Sequence, residues 1–114
     1  MQVSVVMPAF NAERYIAEAI ESILSQTYST FEFIIVDDGS TDGTLRIIED
    51  YAKRDERIRV VTQSNKGVSE ALNAGIQEAK GQWIAIMHAD DIALPHRLER
   101  QIKAAEANPK VVAW

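Results

Sequence analysis

Short runs of β-branched and apolar residues alternate along this chain with longer stretches in which apolar residues recur every three or four positions. Gln2 to Met7 predicts a first strand, stopped by Pro8. Tyr15, Ile16, Ala19, Ile20, Ile23 and Leu24 then keep helical spacing behind Asn11, a residue type that caps helices. Phe31 to Val36 predicts a second strand, with Asp37 to Gly39 at the joint. Leu45, Ile48, Tyr51 and Ala52 mark a second helix entered through Ser40, Thr41 and Asp42. Ile58 to Val61 reads as a third strand. After the turn Asn65-Lys66-Gly67, a helix carries Val68, Ala71, Leu72, Gly75, Ile76 and Ala79 on one side. Trp83 to Met87 is the fourth strand. Pro95 opens a helix with Leu98, Ile102 and Ala105, which Asn108-Pro109 ends, and Val111 to Trp114 reads as a fifth strand beginning.

Strands that alternate with helices predict an α/β fold: a three-layer αβα, Rossmann-like arrangement around a mainly parallel sheet. The strand runs are almost continuously apolar, which suits parallel strands buried on both faces. With 114 residues, 46% of them hydrophobic, residues 1–114 form one domain with one core. A fifth strand that only begins would leave an unpaired edge, so the expectation is a piece of a longer protein, truncated at its C-terminus.

Composition narrows the partners. The net charge of -5, with no block of five like charges, gives little footprint for a nucleic-acid backbone. A phosphorylated small ligand would need a divalent cation to approach so acidic a surface. Cysteine is absent, which excludes disulfides, thiolate metal sites and a cysteine nucleophile. No apolar run approaches the roughly 20 residues of a membrane span, and no signal peptide is evident, so a cytoplasmic chain is expected.

The candidate chemistry sits after the second and fourth strands. Asp37-Asp38-Gly39-Ser40 follows one and His88-Ala89-Asp90-Asp91 the other. In an open α/β sheet both segments can face one crevice at the carboxyl ends of the strands. Four carboxylates there would repel one another unless a cation or a hydrogen-bonding ligand compensates. A carboxylate at a strand end can accept from the imide N–H of a pyrimidine or from a ribose hydroxyl; the same residues also suit a solvated turn, with glycine supplying a positive φ. Asp90 and Asp91 suit Mg2+ or Mn2+ sharing diphosphate oxygens and water. His88 is open between metal ligand, ribose or phosphate contact, and simple packing. Backbone N–H groups of Asn65-Lys66-Gly67 could meet an anion, with Lys66 adding charge. Phe10 could stack on a base or pack, and neither the P-loop nor the dinucleotide glycine pattern follows the first strand.

Read together, these segments resemble family 2 glycosyltransferases of the GT-A fold. The likeness runs through Val3-Ser4-Val5-Val6-Met7-Pro8-Ala9-Phe10-Asn11, Ser22-Ile23-Leu24-Ser25-Gln26-Thr27-Tyr28, Val36 to Asp42, Asn65-Lys66-Gly67, Ala71-Leu72-Asn73-Ala74-Gly75, Ala79-Lys80-Gly81, Ala89-Asp90-Asp91 and Pro95-His96-Arg97-Leu98. The resemblance implies the nucleotide-sugar-binding half of an enzyme that transfers a sugar, with inversion, from a nucleoside-diphosphate donor, commonly UDP-linked. The acceptor is a carbohydrate or lipid-linked hydroxyl, in polysaccharide or glycoconjugate synthesis.

By that likeness Pro8, Ala9 and Phe10 line the nucleotide pocket and Asp38 bonds the base. Asp90 and Asp91 meet ribose and a divalent cation, Mn2+ or Mg2+, with His88 as a further candidate ligand. Many relatives carry aspartate where His88 stands. The family's general base lies downstream of this segment, so the piece is expected to bind donor without catalysing transfer. In the full-length protein it would work in the cytoplasm, in reach of the inner face of the membrane. The rival readings are a response-regulator-like receiver domain and a non-catalytic α/β nucleotide-binding module. The receiver would place its acidic pair after the first strand, where Pro8 stands.

Overall fold

A computed structural model describes residues 3–107 of the chain. The order of elements is β1 (Val3–Ala9), α1 (Ile16–Leu24), β2 (Phe31–Asp38), α2 (Thr44–Arg54), β3 (Ile58–Gln63), α3 (Val68–Glu78), β4 (Trp83–Ile86) and α4 (Arg97–Ala107). The strands pair in the order β3-β2-β1-β4, every pair parallel. The alternation of the sequence is thus realised as an α/β sheet between helices. The expected helix end at Asn108-Pro109 and the strand start at Val111 to Trp114 lie outside the described residues, as does Gln2.

Side chains alternate across β1 and β2, and the two faces carry different loads. Val3, Val5, Met7 and Ala9 join Phe31, Phe33 and Ile35 in the larger core, with Ile16, Ala19, Ile20 and Ile23 of α1, Ile48 of α2, and Leu98 and Ile102 of α4. The opposite face carries Ile34 and Val36 against Ala71 of α3.

β1 and β2 run further than their apolar residues indicate. Pro8 does not stop β1 but pairs with Val36 inside it. The Val6 carbonyl accepts the Met87 N–H (3.0 Å), so even-numbered residues of β1 turn their backbone groups toward β4. The β1–β4 pairing ends at Val6 and Ile86, so the N–H that Pro8 lacks would have met no strand. β2 continues through Asp37 and Asp38 because β3 pairs alongside them, at Thr62 and Gln63.

α3 sits close to the sheet. A Cβ built on Gly75 would lie 2.4 Å from Val6 Cγ1 and 3.2 Å from Val36 Cγ2, both on fully buried residues. Its ends are tied down as well. Glu32, at the start of β2, accepts from the Ser4 hydroxyl, the Lys80 N–H and Arg59, and Arg59 also donates to the Glu78 carbonyl at the end of α3 (3.0 Å). Burial pushes the Glu32 carboxyl up, but these hydrogen bonds and the Arg59 charge outweigh it and leave it below its ordinary value.

Two outcomes follow for stability. Gly75→Ala gains helix propensity of about 1 kcal/mol, yet the clash with Val6 costs about 1–3 kcal/mol; urea unfolding is expected to show a net loss, and an unchanged or raised stability would contradict this packing. Because the folded Glu32 pKa is depressed, its contribution is complete above the unfolded value of about 4.3 and is lost as pH falls through the folded value. Unfolding measured at pH 7 and at pH 3 is therefore expected to show Glu32→Gln less stable than the parent at neutral pH, with the gap closing in acid.

Candidate functional site

From β1 the chain adds β2 and β3 on one side, then returns to lay β4 on the other side of β1. That reversal is a topological switch point, where the carboxyl ends of neighbouring strands part into a crevice. A cavity of about 280 Å³ opens there, lined by Pro8, Ala9, Phe10, Asp38, Asn65, Gly67, Val68, Ala71 and His88. A second, of about 300 Å³, shares Pro8, Phe10 and His88 with it and adds Asn11, Ala12, Tyr15, Ala89 and Asp90. The sequence-predicted residues Pro8, Ala9, Phe10, Asp38 and His88 therefore meet in one cavity, and Asp90 stands in its neighbour. Asp91 lines neither and is exposed; its N–H donates to the His88 carbonyl (3.1 Å).

Asp38 is 4% exposed at the carboxyl end of β2, on the face toward α3. Its Oδ1 accepts from Gln63 Nε2 (2.8 Å) and the Lys66 N–H (2.8 Å), and its Oδ2 from the Gly67 N–H (3.0 Å). Burial alone would raise its pKa. The Gln63 bond, the two backbone donors and the Lys66 charge override that and hold Asp38 below the usual carboxylate range, ionised and an acceptor only. The expectation that the Asn65-Lys66-Gly67 turn offers its N–H groups to a ligand anion is thereby corrected: two of those donors already serve a carboxylate of the chain itself.

Asp37 points the other way. Period-two alternation turns it from the cavity, its Oδ2 accepts the Ser40 N–H (3.3 Å), and its Oδ1 is buried without a partner among the described residues. Four carboxylates do not converge on one crevice: Asp38 and Asp90 occupy adjoining cavities, Asp37 lies on the opposite face and Asp91 on the surface.

The turn that carries Phe10 is laced to the loop after β2. Asn11, at a φ of 47°, donates its N–H to Ser40 Oγ (3.0 Å) and accepts the Thr41 N–H on Oδ1 (2.8 Å). Asn11 is thus no helix cap; α1 starts after Tyr15 with no capping side chain. Ala12 N–H donates to Thr44 Oγ1 (2.8 Å), and Asp42 Oδ1 accepts from Thr44 N–H (2.9 Å) at the start of α2. Of the three residues expected to cap α2, only Asp42 serves it. Gly39, at a φ of +71°, lets this loop touch the next: a Cβ there would stand 2.6 Å from the Asn65 nitrogen. With both loops fixed, Phe10 stays 48% exposed.

Asp90 and Asp91 are both exposed beyond β4, and among the described residues no three His, Cys, Asp or Glu side chains assemble a metal cage. Two open, hard-oxygen donors fit a divalent cation that takes its remaining ligands from diphosphate oxygens and water. They do not fit a cation held by protein alone.

Gln63, Val68 and Ala71 escaped the sequence reading as parts of this site. Gln63 carries no motif signal, and its role exists only because β3 pairs with β2 beside Asp38. Val68 and Ala71 were legible as an apolar helix face but not as cavity wall.

The family model for glycosyl transferase family 2 matches residues 4–114. Curated relatives include the glycosyltransferase EpsJ of Bacillus subtilis, 45% identical over 93% of this chain and 31% of EpsJ. Another, the glycosyltransferase GlyG of Streptococcus pneumoniae, is 42% identical over 93% of this chain and 36% of GlyG. The chain thus spans about a third of the length of the relatives it matches. Among solved structures, residues 1–349 of S. aureus TarS in complex with UDP-GlcNAc superimpose with a TM-score of 0.87 at 30% identity, over 96% of this chain and 32% of that one. The mannosyltransferase PcManGT of Pyrobaculum calidifontis, in complex with GDP-Man and Mn2+, gives 0.87 at 29% identity over 96% of this chain and 33% of that one. Both the α/β architecture and the match along nearly the whole sequence lead to the same place: this chain belongs to glycosyl transferase family 2 and has the α/β architecture of GT-A glycosyltransferases.

Proposed function

We propose that this chain is the donor-binding part of an inverting glycosyltransferase that uses a UDP-linked sugar. The observation that carries the reading is Asp38: a buried, ionised acceptor fixed in the wall of a cavity that also presents the half-exposed Phe10. Among the described residues Oδ2 accepts only the Gly67 N–H, which leaves a lone pair for a donor from the ligand. Uracil offers such a donor at its imide N–H; cytosine offers a lone pair at the same position and would be repelled. Phe10, between Pro8 and Asn11, supplies a face for stacking, and Pro8 and Ala9 fill the wall behind it.

The diphosphate would lie toward Asp90, where the two cavities share His88. Asp90 and Asp91 would hold a divalent cation there, with His88 as a further candidate ligand or a direct contact to ribose or phosphate. When bound, that ion supplies Lewis-acid stabilisation of charge on the departing diphosphate. PcManGT with GDP-Man and Mn2+, and TarS with UDP-GlcNAc, support donor and metal as classes. The acceptor would be a carbohydrate or lipid-linked hydroxyl. The base that deprotonates it is assigned to the part of the relatives beyond the length matched here, so this chain by itself binds donor and transfers nothing. No helix among the described residues is long and apolar enough to cross a membrane. We place the work of the whole protein in the cytoplasm, in reach of the membrane's inner face.

Calorimetric titration of UDP, GDP and dTDP, with Mn2+ and then with EDTA, tests the reading. UDP is expected to bind best and to need the metal. Phe10→Ala, which touches no core, is expected to weaken binding about 5-fold or more, since base stacking is worth about 1–3 kcal/mol, while Asp90→Ala abolishes the Mn2+ dependence. A folded chain that takes up no nucleotide would refute the proposal, and sugar transfer by these 114 residues alone would refute the missing-base part of it.

A further inference from the structure

Gln26 stands two residues beyond α1, 5% exposed, with both halves of its amide engaged. Nε2 donates to the Ser22 carbonyl (3.1 Å) and to the Leu94 carbonyl (2.7 Å), and Oε1 accepts the Leu98 N–H (2.9 Å). Its neighbours grip the same segment. Ser22 Oγ accepts the Ala93 N–H (3.0 Å), and the Thr27 N–H donates to the Pro95 carbonyl (2.9 Å). The end of α1 thus holds, in order, Ala93, Leu94, Pro95 and Leu98. That stretch leaves the acidic pair and enters α4.

Between Asp91 and Leu94 the chain has no regular structure to fix its course. The first N–H groups of α4 have no partner within their own helix, and for Leu98 the partner is Gln26. Three residues can span at most about 10 Å, so pinning the Leu94 carbonyl limits where Asp91 can stand. Arg97 closes the segment from behind by donating to Met87 Sδ and to the Ile86 carbonyl (3.4 Å).

We propose that Gln26 is a positioning residue for Asp90 and Asp91, acting through the Leu94 carbonyl and the first turn of α4. It touches neither carboxylate. The assignment rests on the reading that this pair holds a cation on a diphosphate. A group needed only to fill the core there could be replaced by an apolar side chain of the same length. A group that aims the acidic pair could not.

Gln26→Met keeps the length and apolar contacts and removes all three hydrogen bonds. The readout is the affinity of the chain for UDP with Mn2+ divided by its affinity in EDTA, with circular dichroism confirming the fold. Loss of an outer contact that orients metal ligands costs about 10–100-fold in metal affinity. The ratio is therefore expected to fall at least tenfold while the affinity in EDTA stays within twofold. An unchanged ratio, or an equal loss in both conditions, would overturn the assignment. Should Gln26→Met fail to fold, Ser22→Ala removes the Ala93 anchor, together with the hydroxyl's bond to the Ala19 carbonyl within α1, and is expected to lower the ratio in the same direction; an unchanged ratio there overturns the assignment too. Wild-type binding that ignores Mn2+ would refute the proposed function and this inference with it, and is read from the wild type alone.

Discussion

Two carboxylates on one face of β2 hold α3 against the sheet, and the cavity exists where it does because of them. Asp38 takes the N–H groups of Lys66 and Gly67 just before the helix begins. Glu32, six residues earlier on the same face, takes the Lys80 N–H just after it ends, and Arg59 links that carboxylate to Glu78. Between the two ties, Ala71 and Gly75 bring the helix down onto Val6, Val36 and Ile34. Release of either end would let the wall formed by Val68 and Ala71 drift from the one formed by Pro8 and Phe10.

The division of labour within Asp37-Asp38 follows from the same geometry. Neighbouring positions on a strand face opposite layers, so one carboxylate fixes the Ser40 turn and the other fixes α3. A side chain already spent on structure is also well placed for recognition. Its orientation is settled before a ligand arrives, and binding incurs little ordering cost. Among the described residues the acidic pair after β4 has no such direct anchors. Exposed and followed by irregular backbone, it depends on contacts made from α1, nearly seventy residues earlier in the chain.

The sequence made the layers legible because parallel strands buried on both faces are written as unbroken apolar runs, and the helices as three- and four-residue spacing. Pro8 misled, since a proline ends a strand only if its missing N–H faces a partner, and which neighbour it faces depends on register. Asn11 misled for a related reason: its side chain serves the Ser40-Thr41 loop, thirty residues on, in place of the helix beside it. The opposite facing of Asp37 and Asp38 was readable in principle from period two, had β2 been extended to its true end. Gln63 and Gln26 were not readable, because an amide side chain acquires its meaning from partners that only the fold brings near.

Asp38 grips the turn before α3 through main-chain N–H groups, so the grip is blind to which side chains stand at 65 and 68, while at 66 the Lys66 charge only adds to it. Asn65 and Val68 line the cavity and are exposed, and Lys66 is exposed between them. Evolution can therefore repaint that rim, exchanging charge for bulk or polarity for grease, while the carboxylate beneath keeps its aim. On the proposed reading of Asp38, such a scaffold would separate the part of a ligand that is held fixed from the part that is negotiable, and a few surface substitutions would change what the cavity accepts.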